Sequence, residues 1–272
     1  MIENPPLIKI KKSSSRKKPS QSQIKSFENI PTGFICDAME GYGALSPSIK
    51  LLDQSNKAFH VVGPALTVNS GASDVLGLQV AISEISEGDI VVNSVKGWQE
   101  TASAGDRIAG LIKNNGGKAL ITDGPIRDLN GFLDTFLPCF CTGINPNSPY
   151  NSGPATIGFP INISNVEINS GDIIIGDMDG VVIVPFHKID DVISKLENII
   201  KIENDMDKKV QDGIKISPKI QELLNSDKVK YYDWLTTLLF LHQYVFLKTQ
   251  NWFVYSFLLI SSHYHKRQIL HN

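Results

Sequence analysis

Residues 105–128, GDRIAGLIKNNGGKALITDGPIRD, predict a helix followed by a buried strand. We expect the helix to begin near Asp106, because apolar residues recur at helical spacing after it. These apolar residues are Ile108, Leu111 and Ile112. A glycine pair at 116–117 ends the helix, and residues 118–122 form the strand. The turn sequence Asp-Gly-Pro at 123–125 ends that strand, so the stretch indicates one helix–strand unit of an α/β fold.

The segments on both sides repeat this alternation of strands and helices. The sequence predicts strands over 60–69, 90–93, 173–176 and 181–184, and helices over 74–86 and 187–212. Residues 177–180, Asp-Met-Asp-Gly, join the last two strands as a hairpin with an Asp-Gly turn. Strands and helices mixed in this way favour an α/β fold class in which helices cover the sheets.

The composition describes an ordinary globular chain. The 272 residues carry a net charge of −2 and are 42% apolar, which excludes a generally basic nucleic-acid binder and an acidic disordered chain. Three cysteines, an odd number, argue against a disulfide framework, and we interpret Cys36, Cys139 and Cys141 as small core residues. No arginine-flanked apolar run opens the sequence, so the expected compartment is the cytoplasm.

The first 26 residues differ from this average. Residues 1–26 contain lysines and Arg16 among serines and prolines, with almost no apolar residue. We predict a disordered basic arm, because so little apolar surface cannot offset the entropy lost on ordering. A contact to nucleic acid or to an anionic membrane is the alternative interpretation.

The other end is rich in aromatic side chains. Eleven of the 22 aromatic residues lie within residues 231–264, so we interpret residues 226–272 as an extension that follows a central domain at 27–225. We predict two short helices, split near residues 249–251, that pack on the domain or on a partner. A membrane span is the alternative, although polar side chains interrupt the segment.

One cluster of residues joins the start of the predicted helix to the end of the following strand. The backbone N–H groups of Arg107 and Ile108 lack intrahelical acceptors and can bind a carboxylate, and Gly105 permits close approach. Arg127 offers a planar fork of donors for a carboxylate, and Asp128 offers a hard oxygen ligand for Mg²⁺ or Mn²⁺. The cluster predicts a site for a small anion chelated to a divalent cation, with a surface ion pair as the alternative.

Other side chains that could bind a metal have structural explanations. Asp123, Asp177 and Asp179 lie at or beside glycine turns, where an aspartate caps the backbone. His263 and His265 have no acidic or cysteine neighbour in the sequence, so we interpret them as part of a polar tail.

The spacing within the quoted stretch resembles a known family motif. Twenty residues separate Asp106 from Arg127-Asp128, which resembles the D-x20-R-D motif of the class II 4-hydroxy-4-methyl-2-oxoglutarate aldolase / RraA-like family. Four further stretches look similar to this family: TGFICDAMEG at 32–41, GPALT at 63–67, GDIVV at 88–92 and GDIIIGDMDGVVIVP at 171–185. The resemblance covers roughly residues 27–225.

The resemblance implies a fold and an assembly. The family fold is a swivelling β/β/α sandwich, to which this chain adds its C-terminal helical extension. Family members assemble as homotrimers or hexamers with active sites between subunits. A glutamate from the C-terminal helix of the neighbouring subunit reaches the site, and Glu203 is the matching residue here, with Glu197 as the alternative.

The resemblance also implies residue roles. Asp128 would bind the divalent metal, Mg²⁺ in the first place and Mn²⁺ or Co²⁺ as alternatives. Arg127 would bind the pyruvyl part of the substrate. The backbone of residues 105–108 would hold the substrate carboxylate, while Asp106 would orient a water molecule on the metal.

The implied reaction is carbon–carbon bond cleavage. A 4-hydroxy-2-oxo acid would release pyruvate, and oxaloacetate would give the same enolate by losing CO₂. Some relatives are instead non-catalytic inhibitors of a ribonuclease, so a protein-binding regulator is the alternative; the complete motif favours the enzyme. The loop at residues 96–104, KGWQETASA, departs from the glycine-rich loop common among relatives, which affects the expected substrate pocket.

Overall fold

The computed structural model describes residues 6–55 and 57–232. The strands in these ranges are β1 (Ile8–Ile10), β2 (Lys50–Leu51), β3 (His60–Asn69), β4 (Ile90–Ser94), β5 (Ala119–Thr122), β6 (Cys139–Cys141), β7 (Ala155–Ile157), β8 (Ile161–Ile163), β9 (Val166–Ile168), β10 (Ile173–Asp177) and β11 (Val181–Val184). The helices are α1 (Gln21–Lys25), α2 (Thr32–Ala38), α3 (Leu76–Ala81), α4 (Asp106–Asn114), α5 (Leu129–Asp134), α6 (Ile189–Gln211) and α7 (Pro218–Leu224). The chain forms two compact units, residues 1–205 and 206–272, and the strands lie in the first unit.

One sheet forms the framework of the first unit. Its strands follow the order β1-β7-β3-β4-β5-β6-β2, and β3, β4, β5 and β6 run parallel. Because parallel strands point in one direction, their carboxyl ends meet at one edge of the sheet. The loops that follow these strands therefore lie side by side at that edge.

Strand β3 takes part in two different pairings. Its residues up to Pro64 pair antiparallel with β10, and its residues from Ala65 pair parallel with β4. Gly63 lies at this change of partner, and a Cβ there would lie only 2.4 Å from the carbonyl oxygen of Gly88. A glycine is therefore required where the backbone of β3 approaches the turn before β4.

Alternating side chains of the central sheet fill separate cores. Val91 of β4 packs in a cluster with residues of α3, α4 and α5, whereas Ile90 and Val92 pack in a second cluster with the hairpin β10–β11. A third cluster joins that hairpin to α2 and α6. Helices thus cover both outer sides of the packed β-strands, and the predicted α/β fold class is confirmed.

Most predicted elements match the structure closely. Helix α4 begins at Asp106 and β5 ends at Thr122, as the periodicity predicts. The hairpin is confirmed, with Gly176 opposite Val181. Helix α3 is shorter than the predicted 74–86, because a 3₁₀ turn replaces the α-helix from Ile82.

The prediction of a disordered basic arm is wrong for residues 6–26. Strand β1 pairs in parallel with β7, and Ser20 caps α1 with its hydroxyl oxygen. Arg16 is buried, with its Nη1 3.0 Å from Asp89 Oδ2 and its Nη2 donating to the Glu84 carbonyl at 2.7 Å. The composition gave no sign of this order, which rests on a buried ion pair, a strand pairing and the few apolar side chains present, such as Ile8 and Ile24, which pack against core clusters.

The described part of the second unit is short. Residues 206–232 contain the end of α6 and helix α7, where Ser217 Oγ accepts a hydrogen bond from the Ile220 N–H at 3.4 Å. The break at 205/206 falls inside the span predicted for the central domain, 27–225. The two helices predicted for the aromatic extension lie outside the described residues. Across residues 6–55 and 57–232, no helix is both long and apolar enough to cross a membrane.

Candidate active site

The predicted cluster lies at the carboxyl edge of the parallel strands. Strand β5 leads through the turn at 123–125 to Arg127 and Asp128, and α5 begins directly afterwards. Helix α4, which begins at Asp106, contacts α5. Residues at the two helix starts line an open cavity of about 820 Å³, together with Gln79 of α3. Its lining includes Gly105, Asp106, Arg107, Ile108, Arg127 and Asp128.

Gly105 allows the two halves of the motif to approach each other. A Cβ at this position would lie 2.6 Å from Asp128 Oδ2 and 3.4 Å from Arg127 Cγ. The backbone pairs at the same place, since the Arg127 N–H donates to the Ala104 carbonyl at 3.0 Å. The absent side chain therefore leaves space directly beside the Asp128 carboxylate.

We expect the substitution Gly105→Ala to reduce function far more than stability. Its methyl group would displace the partly exposed Asp128 side chain, and misplacing a catalytic group by about 1 Å can cost roughly a hundredfold in rate. Activity should fall about 10- to 100-fold while the midpoint of urea unfolding changes little. Gly110→Ala in α4 is the matched control, because a Cβ there meets nothing within 4 Å. Equal activity of the two variants would contradict this role for Gly105.

The Arg127 guanidinium is held on two sides. Its Nη1 donates to Ser148 Oγ at 2.6 Å, and its Nε lies 3.3 Å from Asp128 Oδ2. The two charged side chains are 37% and 46% exposed, and such an exposed ion pair contributes only about 0–1 kcal/mol to stability. The pair therefore has little structural value, and the remaining Arg127 donors are available to an anion in the cavity.

The Asp106 carboxylate already accepts a hydrogen bond from a backbone N–H group that was predicted to bind the substrate. Its Oδ1 accepts a hydrogen bond from the Arg107 N–H at 2.7 Å. The expectation that this N–H is free is therefore wrong, because the carboxylate of the preceding residue already satisfies it. A Cβ at Gly131 would lie 2.6 Å from Asp106 Oδ2, so this glycine lets the carboxylate lie against α5.

Glu203 lies apart from this cavity within one chain. It is half-buried on α6, and Glu197 is exposed on the same helix. Neither residue lines the cavity that contains Asp128. The contribution of Glu203 to a neighbouring subunit's site stays a prediction.

Asp123 has the structural role that its turn position predicts. It is buried and accepts hydrogen bonds from the backbone N–H groups of Val95 at 2.6 Å and Gly97 at 2.9 Å. Burial raises the pKa of Asp123, and these hydrogen bonds oppose the rise by favouring the charged carboxylate. The carboxylate thereby fixes the start of the 96–104 loop.

The cysteines are core residues, as expected. Cys139 and Cys141 are buried and unpaired on β6, and Cys36 is half-buried. Burial raises the pKa of the Cys139 thiol well above its usual range, which makes it a poor nucleophile.

Two contributors to the site were missed by the sequence analysis. Ser148 contacts Arg127 from a loop without periodicity, so no sequence signal identified it. Asp74 is buried and accepts hydrogen bonds from three backbone N–H groups, those of Leu76, Ser152 and Gly153. Its position just before α3 is the one signal in the sequence that could have identified it, since aspartate is a preferred helix-capping residue.

Comparisons with known proteins identify the family of this chain. The sequence model described as RraA-like: Aldolase/RraA matches residues 32–183. A protein of Halalkalibacterium halodurans, provisionally named 4-hydroxy-4-methyl-2-oxoglutarate aldolase, is 34% identical over 191 residues, covering 70% of this chain and 90% of that protein.

Two solved structures share the fold. An uncharacterized protein from Pseudomonas syringae pv. tomato has a TM-score of 0.64 at 23% identity, covering 73% of this chain and 96% of its own. Streptomyces coelicolor RraAS2, described as an unusual member of the RNase ES inhibitor RraA family, has a TM-score of 0.61 at 23% identity, covering 70% of this chain and 98% of its own. At this level of identity, the likeness shows the fold alone.

Proposed function

Because the chain belongs to the RraA-like (Aldolase/RraA) family, we propose that it is a divalent-metal-dependent carbon–carbon lyase. Its proposed substrates are 4-hydroxy-2-oxo acids of the 4-hydroxy-4-methyl-2-oxoglutarate type, which it cleaves to pyruvate. The observation that supports this most directly is that Gly105, Asp106, Arg127 and Asp128 line one cavity of about 820 Å³. The provisional name of the Halalkalibacterium halodurans relative supports the same class.

The donor set fits a hard divalent cation. Asp128 presents a half-exposed carboxylate beside the space that Gly105 leaves open. Among the described residues no group of three histidine, cysteine or acidic side chains could hold a metal. Mg²⁺ suits such a site, because it keeps several waters and binds through one or two carboxylates together with its substrate. Mn²⁺ and Co²⁺ are the alternatives to Mg²⁺.

Arg127 and Asp106 do the remaining chemistry in this proposal. A bound cation would supply positive charge that polarises the keto group of the substrate. Arg127 binds the pyruvyl carboxylate and stabilises the negative charge that develops when the C3–C4 bond breaks. Asp106 orients the water that removes the C4 hydroxyl proton, and a proton returned to C3 completes pyruvate. Oxaloacetate gives the same enolate by losing CO₂, so decarboxylation should accompany aldol cleavage.

The test of this function is pyruvate release by the purified full chain. With Mg²⁺, pyruvate should appear from oxaloacetate and from 4-hydroxy-4-methyl-2-oxoglutarate, and EDTA should abolish both reactions until excess Mg²⁺ restores them. Activity that persists in EDTA would contradict the role of the metal. If no pyruvate forms with Mg²⁺, Mn²⁺ or Co²⁺ while the protein inhibits a ribonuclease of the RNase E type, the protein is a regulator instead. A reducing, cytoplasmic setting suits its three unpaired cysteines.

We further propose that the active form is a homotrimer or hexamer whose sites lie between subunits. Exposed apolar side chains lie on both helices and just after α5: Leu111 on α4, which lines the cavity, Leu133 on α5, and Phe136, which is 83% exposed. Large apolar side chains left exposed on neighbouring elements are typical of an interface.

Light scattering should therefore report a closed oligomer, and mixed variants should reveal the shared site. Asp128→Ala and Glu203→Ala should each be inactive alone. After subunit exchange, some mixed interfaces combine an intact Asp128 with an intact Glu203, so activity should partly return. A fully active monomer would contradict this assembly.

A further inference from the structure

We propose that Asp74 and Ser148 are positioning residues that set the orientation of Arg127 for catalysis. This inference rests on the proposed function, and it concerns two side chains outside the Asp106, Arg127 and Asp128 motif. The loop at 142–154 brings Ser148 to the Arg127 guanidinium, and Asp74 holds that loop in place.

Ser148 provides the second contact that holds the Arg127 guanidinium. The Arg127 Nε lies 3.3 Å from Asp128 Oδ2, and Nη1 donates to Ser148 Oγ at 2.6 Å. Two contacts on different nitrogens of one planar group fix both its position and its rotation. Without the hydroxyl, the guanidinium would keep only its longer contact, and that contact is to the residue proposed to bind the metal.

Ser148 has no regular secondary structure to hold it. It lies on a loop between β6 and β7, and its side chain is exposed. The loop is fixed at two points instead. On one side the Asn147 side-chain amide donates to the Glu100 carbonyl at 2.9 Å, and the Ala102 N–H donates to the Asn147 carbonyl at 2.9 Å.

Asp74 fixes the other side. Its Oδ2 accepts hydrogen bonds from the N–H groups of Ser152 at 2.7 Å and Gly153 at 2.9 Å, and its Oδ1 accepts from Leu76 at 2.8 Å. Only 6% of Asp74 is exposed, and hydrogen bonds from backbone donors to a buried carboxylate are stronger than neutral ones. The same carboxylate thus joins the start of α3 to the loop that carries Ser148.

The adjoining backbone continues this connection to the cavity wall. The Tyr150 N–H donates to the Ser73 carbonyl at 2.7 Å, and the Val75 N–H donates to the Tyr150 carbonyl at 3.0 Å. Val75 and Pro149 line the cavity that contains Arg127, whereas Asp74 does not. Asp74 therefore acts through the loop and makes no contact of its own with that cavity.

The first test measures catalysis and ligand binding together. Ser148→Ala should lower kcat for pyruvate release about tenfold or more, since it removes a hydrogen bond to a charged group. The dissociation constant for Mg²⁺, measured by calorimetry, should stay unchanged. Oxalate, a planar dianion that resembles the pyruvate enolate, should bind more weakly. Ser148→Thr, which keeps the hydroxyl, should recover most of the loss. Asn151→Ala, an exposed residue on the same loop, should match the wild type.

A double-mutant cycle separates positioning from general damage. In an Arg127→Ala background, Ser148→Ala should cause no further loss, because the side chain through which it acts is gone. Asp74→Asn should reproduce the Ser148→Ala defect with a folded core. If Asp74→Asn does not fold, the Ser148 variants carry the test alone. Additive losses in the cycle, or a Ser148→Ala enzyme with wild-type kcat, would overturn the inference.

A spectroscopic measurement keeps this inference distinct from the proposed function. In arginine-labelled full-length protein, NMR reports rotation about the Nε–Cζ bond of Arg127. Rotation should be slow in the wild type and faster in Ser148→Ala, whether or not the protein releases pyruvate. Absence of pyruvate together with this change would reject the proposed function alone. An unchanged rotation rate would reject the positioning role.

Discussion

Arg127→Lys should lower kcat/KM for pyruvate release by about 10²- to 10³-fold, the usual cost of losing one preorganised charge contact to a transition state. The substitution keeps the positive charge, but an ammonium group cannot reproduce the planar fork. In this structure the fork also spans Ser148 Oγ on one side and Asp128 Oδ2 on the other. A lysine at this position would lose one or both of these contacts, and it could not bind the substrate carboxylate through two parallel N–H groups.

The complementary variant Asp128→Ala separates binding of the cation from binding of the substrate. Arg127→Lys should retain the wild-type dissociation constant for Mg²⁺ in calorimetry, whereas Asp128→Ala should lose both Mg²⁺ binding and activity. Steady-state kinetics with oxaloacetate, over a range of Mg²⁺ concentrations, measure the two effects. If Arg127→Lys keeps near wild-type kcat/KM, Arg127 does not bind the pyruvyl group.

The part of the site that sequence could predict depends on local pattern. Helical spacing after Asp106 and the turn after Thr122 placed α4 and β5 almost at their observed bounds. Parallel strands then brought Asp106, Arg127 and Asp128 to one edge, as strand direction requires. Periodicity and turn residues act within a few positions of the chain, so these features were readable from a single sequence.

The part that sequence could not predict depends on distant contacts. Ser148 reaches Arg127 across 21 residues, and Asp74 reaches Ser152 across 78 residues. The loop between β6 and β7 has no apolar period, so nothing local gives its path. The sequence also did not predict that β3 pairs with β10 in its first half and with β4 in its second half. The pattern of residues 60–69 indicates only one strand, interrupted at Gly63-Pro64.

The order of the basic arm also depends on a contact between residues that are distant in the sequence, in this case two charged side chains. Composition counts six cationic side chains over residues 9–18 and predicts disorder. Composition cannot show that one of them, Arg16, pairs with Asp89, which lies 73 residues further along the chain. Burial raises the pKa of Asp89, and the Ser86 N–H and Arg16 oppose that rise. These donors therefore favour the charged form of the buried carboxylate.

Asp89→Ala should consequently destabilise the first unit by about 3–5 kcal/mol, the usual cost of breaking a buried ion pair from one side. The Arg16 and Asp89 side chains are only 3% and 5% exposed, and Arg16 Nε already has no hydrogen-bond partner among the described residues. Without the carboxylate, the guanidinium would be left buried and uncompensated, so the arm should leave its position.

Urea unfolding of the full chain measures this loss, and amide hydrogen exchange locates it. Exchange should accelerate first in Ile8–Ile10, the strand of the arm that pairs with β7, while β4 and β5 remain protected. The double variant Arg16→Met, Asp89→Leu is the matched control, because replacing both partners by apolar side chains removes the unpaired charge and costs much less. If Asp89→Ala unfolds within about 0.5 kcal/mol of the wild type, as an ordinary surface substitution does, the ion pair is not what orders the arm.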